Sequence, residues 1–331
     1  MINVFYHPNY IKTKKVFLTR QFKYSIFYNI LIDILYFFNI PISNNLIYSG
    51  PQKRFNNLIK ALKGDKKFIF NKIKFKNSYI VQFDEFGEKI LSEILTKKQT
   101  DQKILIGPLY NIEYLKKLVD VVNQHDNIKI VTASNVGLKN ILNEMSLDIN
   151  KNKIVSFPSG IIAKKDINIK NIHKKNFGND CLLYFKKRSE SELKGVLNFL
   201  KSKDLKFKIF EYGKYKNNHL IKNAKESKFG LILGSTESQG FAIQEMMAKN
   251  LPLIVVDKNI NKYGGYELSG TTVPYWDDLC GIKVEDIDEL EKKYAFFIGN
   301  LEKFNPINLV EKELTFEVFK ENLIKEFRNN F

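Results

Sequence analysis

The stretch Phe229–Asp257, FGLILGSTESQGFAIQEMMAKNLPLIVVD, decides the fold. Gly230–Leu233 is a short apolar run with the length and flanks of a buried strand. A loop of small polar residues follows, Gly234–Gly240. Phe241, Ile243 and Met247 then mark a helix that ends near Asn250, before Pro252. Leu253–Val256 is a second buried strand. Strand, loop, helix and strand in that order form the repeating unit of a parallel sheet covered by helices. Ligands bind such sheets at the carboxyl ends of the strands, where this loop falls.

The loop has chemistry that suits a nucleotide sugar. Gly240 permits close approach to the backbone, and Gly240 and Phe241 open a helix whose first N–H groups point at an anion such as a diphosphate. Glu237 precedes the helix and Glu245 lies within it. Carboxylates accept hydrogen bonds from paired hydroxyls, so the two can grip a sugar and a ribose. The alternative is that both merely cap or solvate the helix.

With 331 residues and 44% hydrophobic content, the chain can bury two ordinary cores and is not a disordered polymer. Its formal net charge of +17 favours an anionic partner. Lysine and asparagine are spread along the whole length, however, so most of that charge also reads as solvated surface. Cys181 and Cys280 are the only cysteines, too few for a disulfide framework, and fit a reducing, cytoplasmic setting. His7, His125, His173 and His219 are scattered, so no metal site is expected.

Outward from the central stretch, strands are expected at Ile2–Tyr6, Ser78–Phe83, Ile104–Ile106, Ile128–Thr132 and Ile154–Phe157, with intervening helices from Gly50 onward and over Ile112–Val122. Residues 1–162 therefore form one doubly wound domain. Asp84 and Glu85 end a strand, where an acceptor hydroxyl or plain solvent would meet them. Lysine-rich, apolar-poor residues 163–180 read as a linker. Cys181–Phe185 starts a second sheet and runs into Lys186-Lys187-Arg188, followed by a helix capped by Ser189. Basic residues at a strand end beside a helix start suit a diphosphate, with a solvated basic turn as the alternative. Phe207–Phe210 leads to Tyr212, placed to stack on a base or to pack within its domain. Residues 181–310 form the second domain, and 311–331 a final helix.

The segment 12–42 carries Lys12, Lys14, Lys15, Arg20 and Lys23 ahead of YSIFYNILIDILYFFNIPI. Asn29, Asp33 and Pro41 interrupt it, and no small-residue cleavage site follows, which argues against a signal peptide or a spanning helix. It reads as an amphipathic or buried helix. Its aromatic face and upstream lysines suit peripheral contact with an anionic membrane surface, or ordinary packing on the first sheet.

Glu237-Ser238-Gln239-Gly240-Phe241-Ala242-Ile243-Gln244-Glu245 and Met247-Ala248-Lys249-Asn250-Leu251-Pro252 resemble glycosyltransferase family 4, whose architecture is called GT-B. That family has glutamates separated by seven residues, with glycine between them, and later a G-x-P segment, where this chain has Asn250 for glycine. The resemblance implies two Rossmann-like α/β domains facing a cleft, with the last helix returning to the N-terminal domain. It implies a retaining transferase that moves a sugar from a nucleotide-diphosphate sugar to a glycan or lipid-linked acceptor without an obligatory metal. Glu237 would then hold the transferred sugar and Glu245 the ribose. Arg188 and Lys194 would stabilise the departing diphosphate, although their spacing is one longer than the family's and Lys187 is a rival. Gly50, with Lys53 and Arg54, corresponds to the family's glycine loop facing the cleft, with Pro51 in place of a second glycine. Two other classes remain open. A basic nucleic-acid-binding protein fits the charge, but no reading motif is present and nucleic acid is not the expected partner. Another GT-B enzyme, such as a sugar-nucleotide epimerase, fits the same residues.

Overall fold

In a computed structural model of the chain, residues 2–5, 50–70, 78–81, 91–92, 94–96, 102–107, 112–136, 148–167, 178–263 and 266–329 are described. The segment 12–42, Asp84 and Glu85, His7, His173, and residues 168–177 of the expected linker lie outside them.

Two all-parallel sheets organise the molecule. The first has the order β2-β1-β3-β4-β5-β6, formed by β1 (Ile2–Phe5), β2 (Phe68–Phe70), β3 (Ser78–Val81), β4 (Ile104–Ile106), β5 (Ile128–Thr132) and β6 (Ile154–Ser156). Helix α1 (Gly50–Leu62) precedes β2, and α2 (Ile112–Gln124) connects β4 to β5. Ile104, Ile106, Ile128 and Ile130 are fully buried, as parallel strands covered on both faces require.

The second sheet has the order β13-β10-β9-β7-β8, with β7 (Asn179–Lys186), β8 (Phe207–Glu211), β9 (Ser227–Gly234), β10 (Leu253–Val256) and β13 (Gly281–Val284). A hairpin, β11 (Ile260–Tyr263) and β12 (Tyr266–Ser269), projects after β10. Side chains alternate across this sheet with period two. Leu182, Tyr184, Ile232, Leu253 and Val255 pack with α4 (Asn217–Glu226), α5 (Phe241–Met247) and α7 (Ile307–Glu313). Leu183, Phe185, Leu231, Leu233, Ile254 and Val256 pack with α3 (Glu190–Ser202) and α6 (Ile287–Gly299). Burying each such side chain stabilises the fold by roughly 1.5–3 kcal/mol.

Helix α8 (Phe316–Asn329) returns to the first sheet, as expected. Phe319, Leu323 and Phe327 share a core with Ile2, Val4, Leu62 and Phe157. A buried ion pair reinforces the docking: Lys129 of β5 donates to Glu326 of α8 at 3.0 Å. The crossing between sheets is pinned where Ile161 N–H donates to Leu314 O at 2.8 Å and Phe316 N–H to Ile162 O at 2.9 Å. Among the described residues no helix is long and apolar enough to cross a membrane.

Candidate active site

In the second sheet the chain order reverses between β7 and β9, and the loops after these neighbouring strands diverge into a crevice. A polar hollow of about 860 Å³ opens there. Lys186, Lys187 and Arg188 line it from the end of β7, Ser235 and Thr236 from β9, and Asp257 from β10. Glu267 of the hairpin and Glu285 after β13 bring further carboxylates to the rim.

Glu237 lies at this crossing. Its carboxylate accepts from Lys186 Nζ at 2.6 Å, and both side chains are largely buried. Burial pushes the Glu237 carboxyl above the ordinary carboxylate range, against the pull of Lys186 and then Lys187. The Lys186 ammonium also lies 4.4 Å from the centroid of the Tyr212 ring, which is 42% exposed. The loop carrying Glu237 is held in place from below. Glu237 N–H donates to Thr271 O at 2.9 Å, while Asp257 accepts from Thr271 Oγ1 at 2.9 Å and from Thr272 N–H at 2.7 Å.

Gly240 caps α5 with φ of 82°, a left-handed conformation that glycine adopts without penalty. Phe241 follows it, half-buried, with Lys53 Nζ 5.9 Å from its ring centroid. Asn250 explains its own departure from glycine. Its φ of 52° is also left-handed, a conformation asparagine tolerates, and its side chain accepts from Ile307 N–H at 3.1 Å.

The remaining expected residues fall in different surroundings. Glu245 is paired with the first sheet's domain: Lys53 of α1 donates to it, and Asn217 Nδ2 donates to its other oxygen at 3.2 Å. Gly50 begins α1, three residues before Lys53. Arg188 is nearly buried. Its Nη1 donates to the strand-end carbonyls of Gly234 and Val256, both at 3.1 Å, and its Nε to Glu192 at 2.9 Å. Lys187 is exposed, with φ of 51°. Lys194 is exposed on α3 and is not brought to the hollow. Sequence reasoning passed over Lys186 as a partner for Glu237, did not single out Asn217, and gave Gln239 no role of its own. The period-two alternation of β7 was the available signal for Lys186. Gln239 is buried and binds Ser159 across the two domains, through Nε2 to Ser159 O at 2.7 Å and Ser159 N–H to Oε1 at 3.1 Å.

No family model and no curated protein sequence matches the chain. Solved structures do. A glycosyltransferase from Rickettsia africae ESF-5 aligns with 100% of this chain and 99% of its own, at a TM-score of 0.54 and 15% identity. The chain has the GT-B fold. A variant of TarM from S. aureus, solved in complex with Fondaparinux, alpha-GlcNAc-glycerol and UDP, aligns at a TM-score of 0.50 and 14% identity. That match takes in 82% of this chain and 58% of TarM, so the chain spans a little over half the length of that protein. A putative UDP-N-acetylglucosamine 2-epimerase from Listeria monocytogenes also aligns, at a TM-score of 0.44 and 12% identity over 100% of this chain and 96% of its own. In GT-B terms, the sheet of β7–β10 and β13 belongs to the C-terminal domain, and the first sheet with α8 to the N-terminal one.

Proposed function

We propose that this chain is a retaining glycosyltransferase that moves a sugar from a nucleotide-diphosphate sugar to a glycan or lipid-linked acceptor. One observation carries the reading: a largely buried carboxylate, Glu237, is paired with Lys186 at the crossing of β7 and β9, beside a cation-lined hollow large enough for such a donor. Lys186 and Lys187 at the end of β7 meet the negative charge that develops on the departing diphosphate, and act before it forms because the fold already holds them in place. Glu237 accepts hydrogen bonds from the transferred sugar. Tyr212, exposed beside Lys186, offers a ring face to the base. Glu245 reaches the ribose hydroxyls by exchanging Lys53 and Asn217 for them. No side chain is assigned as nucleophile or base; the donor phosphate takes the acceptor's proton, and no metal is assigned.

The test is a thermal-shift panel of nucleoside diphosphates and nucleotide sugars, with UDP first because the TarM variant was solved with it. One diphosphate is expected to raise the melting temperature. Incubation of the matching nucleotide sugar with glycan and lipid-linked acceptors should yield a new glycosidic bond of the donor's anomeric configuration. An altered sugar nucleotide formed without any acceptor would instead establish an epimerase.

A further inference from the structure

Lys186, Lys187 and Arg188 are consecutive, and by charge alone any of them suits a diphosphate. Their surroundings separate them. The Arg188 guanidinium closes the ends of β9 and β10 through the Gly234 and Val256 carbonyls and pairs with Glu192. Turning it toward a ligand would break its hydrogen bonds to two strand ends and a carboxylate at once, although Thr272 Oγ1 also donates to Gly234 O. Lys186 is differently held. It lines the hollow, and its ammonium donates to one carboxylate oxygen of Glu237 and lies over the ring of the exposed Tyr212. Lys187 lines the same hollow, exposed, on a backbone conformation that lysine rarely adopts and that costs on the order of 1 kcal/mol or more.

We infer that Lys186 and Lys187 bind the donor's diphosphate, that Lys186 does so by exchanging the Glu237 carboxylate for phosphate oxygen, and that Arg188 is a clamp on the strand ends. The inference rests on the proposed function and deepens it. Its chemistry is an exchange of anions around one ammonium. When phosphate takes Lys186, the Glu237 carboxylate loses its hydrogen-bond donor in a buried place and turns to the sugar hydroxyls. Recognition of the phosphate and of the sugar are thereby coupled through a single side chain. A ligand carrying both groups satisfies both protein partners, whereas a free sugar must compete with Lys186 for Glu237.

The exchange predicts a result that a merely structural ion pair would not give. Inorganic pyrophosphate, which carries no base or sugar, is titrated calorimetrically into the wild type and four variants. Lys186→Met should weaken binding by about tenfold or more, and Lys187→Met by about threefold. Glu237→Gln should tighten it by about threefold, because the competing carboxylate is gone. Arg188→Lys should leave the affinity within about twofold while lowering the melting temperature. The circular dichroism of each variant shows whether it is folded. Weaker binding by folded Glu237→Gln, or unchanged binding by folded Lys186→Met, overturns the inference. So does a folded Arg188→Lys that no longer binds. UDP, GDP, ADP and dTDP are titrated alongside. If a nucleoside diphosphate binds equally to wild type and Lys186→Met, the cation assignment falls and the functional reading stands. If wild type binds none of the five compounds, both fall.

Discussion

Lys53 and Glu245 are 192 positions apart in the chain and form an ion pair between α1 of the N-terminal domain and α5 of the C-terminal domain. Asn217 completes a triangle, accepting from Lys53 Nζ at 3.3 Å and donating to Glu245 at 3.2 Å. The side chains are 16% and 14% exposed, so neither charge is fully hydrated. A double-mutant cycle of Lys53→Ala and Glu245→Ala, read by urea denaturation, should give a coupling of about 1 kcal/mol. The same carboxylate is assigned to the donor's ribose. Lys53→Ala should therefore tighten binding of the cognate nucleoside diphosphate and leave inorganic pyrophosphate unaffected. Equal effects on both ligands would remove Glu245 from the ribose.

Gln239 forms a second bridge between the domains, and this one is neutral. It gives Ser159 both a donor and an acceptor for its backbone, and Gln244 holds it from behind by donating to Gln239 O at 2.9 Å. Gln239, Gln244 and Ser159 are all at most 2% exposed. Gln239→Leu would leave a buried N–H and a buried C=O without partners, at about 1–3 kcal/mol each. The expected loss of stability is about 3 kcal/mol, readable as a lower denaturation midpoint. A loss below about 0.5 kcal/mol would show that another group satisfies Ser159.

These contacts mark what could be seen in the sequence and what could not. Most strands of the two sheets read plainly, because strands covered on both faces are largely apolar. Leu253–Val256 was located to the residue for that reason. Strand β13, Gly281–Val284, was passed over. Strand β2, Phe68–Phe70, was missed because no glycine or proline follows it, unlike the equally short β4, which Gly107-Pro108 ends. Helix α4 was missed because its face toward the core is only Leu220, Asn223 and Ala224, and Ile221 is its one further apolar residue. The hairpin β11–β12 carries polar residues at half of its positions and gave no strand signal. At the site, the positions of Glu237 and Gly240 relative to a strand end were legible from local spacing. The partners of Glu245 and Gln239 were not, because Lys53 and Ser159 come from the other domain, and no local pattern encodes which surfaces meet across a cleft.

Gly160 is where the chain leaving the first sheet passes the start of α8. A Cβ added there would lie 2.6 Å from Thr315 O and 2.7 Å from Phe316 Cα, both backbone atoms that cannot swing aside. The flanking hydrogen bonds, Ile161 to Leu314 and Ile162 to Phe316, depend on this close approach. Gly160→Ala should destabilise the protein by about 1–3 kcal/mol through overpacking. Hydrogen exchange should show the loss concentrated in α8, whose Phe319, Leu323 and Phe327 are seated from that junction. Undiminished protection of α8 would contradict the fit.

Glu192 supplies a pH-dependent part of the stability. It closes the first turn of α3 in a capping box with Ser189, whose N–H donates to it at 2.8 Å, and it pairs with Arg188. The Arg188 guanidinium, followed by the Ser189 hydrogen bonds, holds its carboxyl at about 2 against an ordinary value near 4.5. A carboxyl depressed in the folded state is protonated more readily in the unfolded chain. Its contribution is therefore complete above about pH 4.5 and is lost as the pH falls toward 2. The side chain is 35% exposed, and solvent screening reduces the contribution to roughly 1 kcal/mol. Glu192→Gln should lower stability by about that amount at pH 6 and by progressively less on acidification, so that the two urea midpoints converge near pH 2.5. Because every other carboxylate titrates in both proteins, the difference between them isolates this one group. A difference that stayed constant from pH 6 to pH 2.5 would mean that the Arg188–Glu192 pair contributes nothing through its charge.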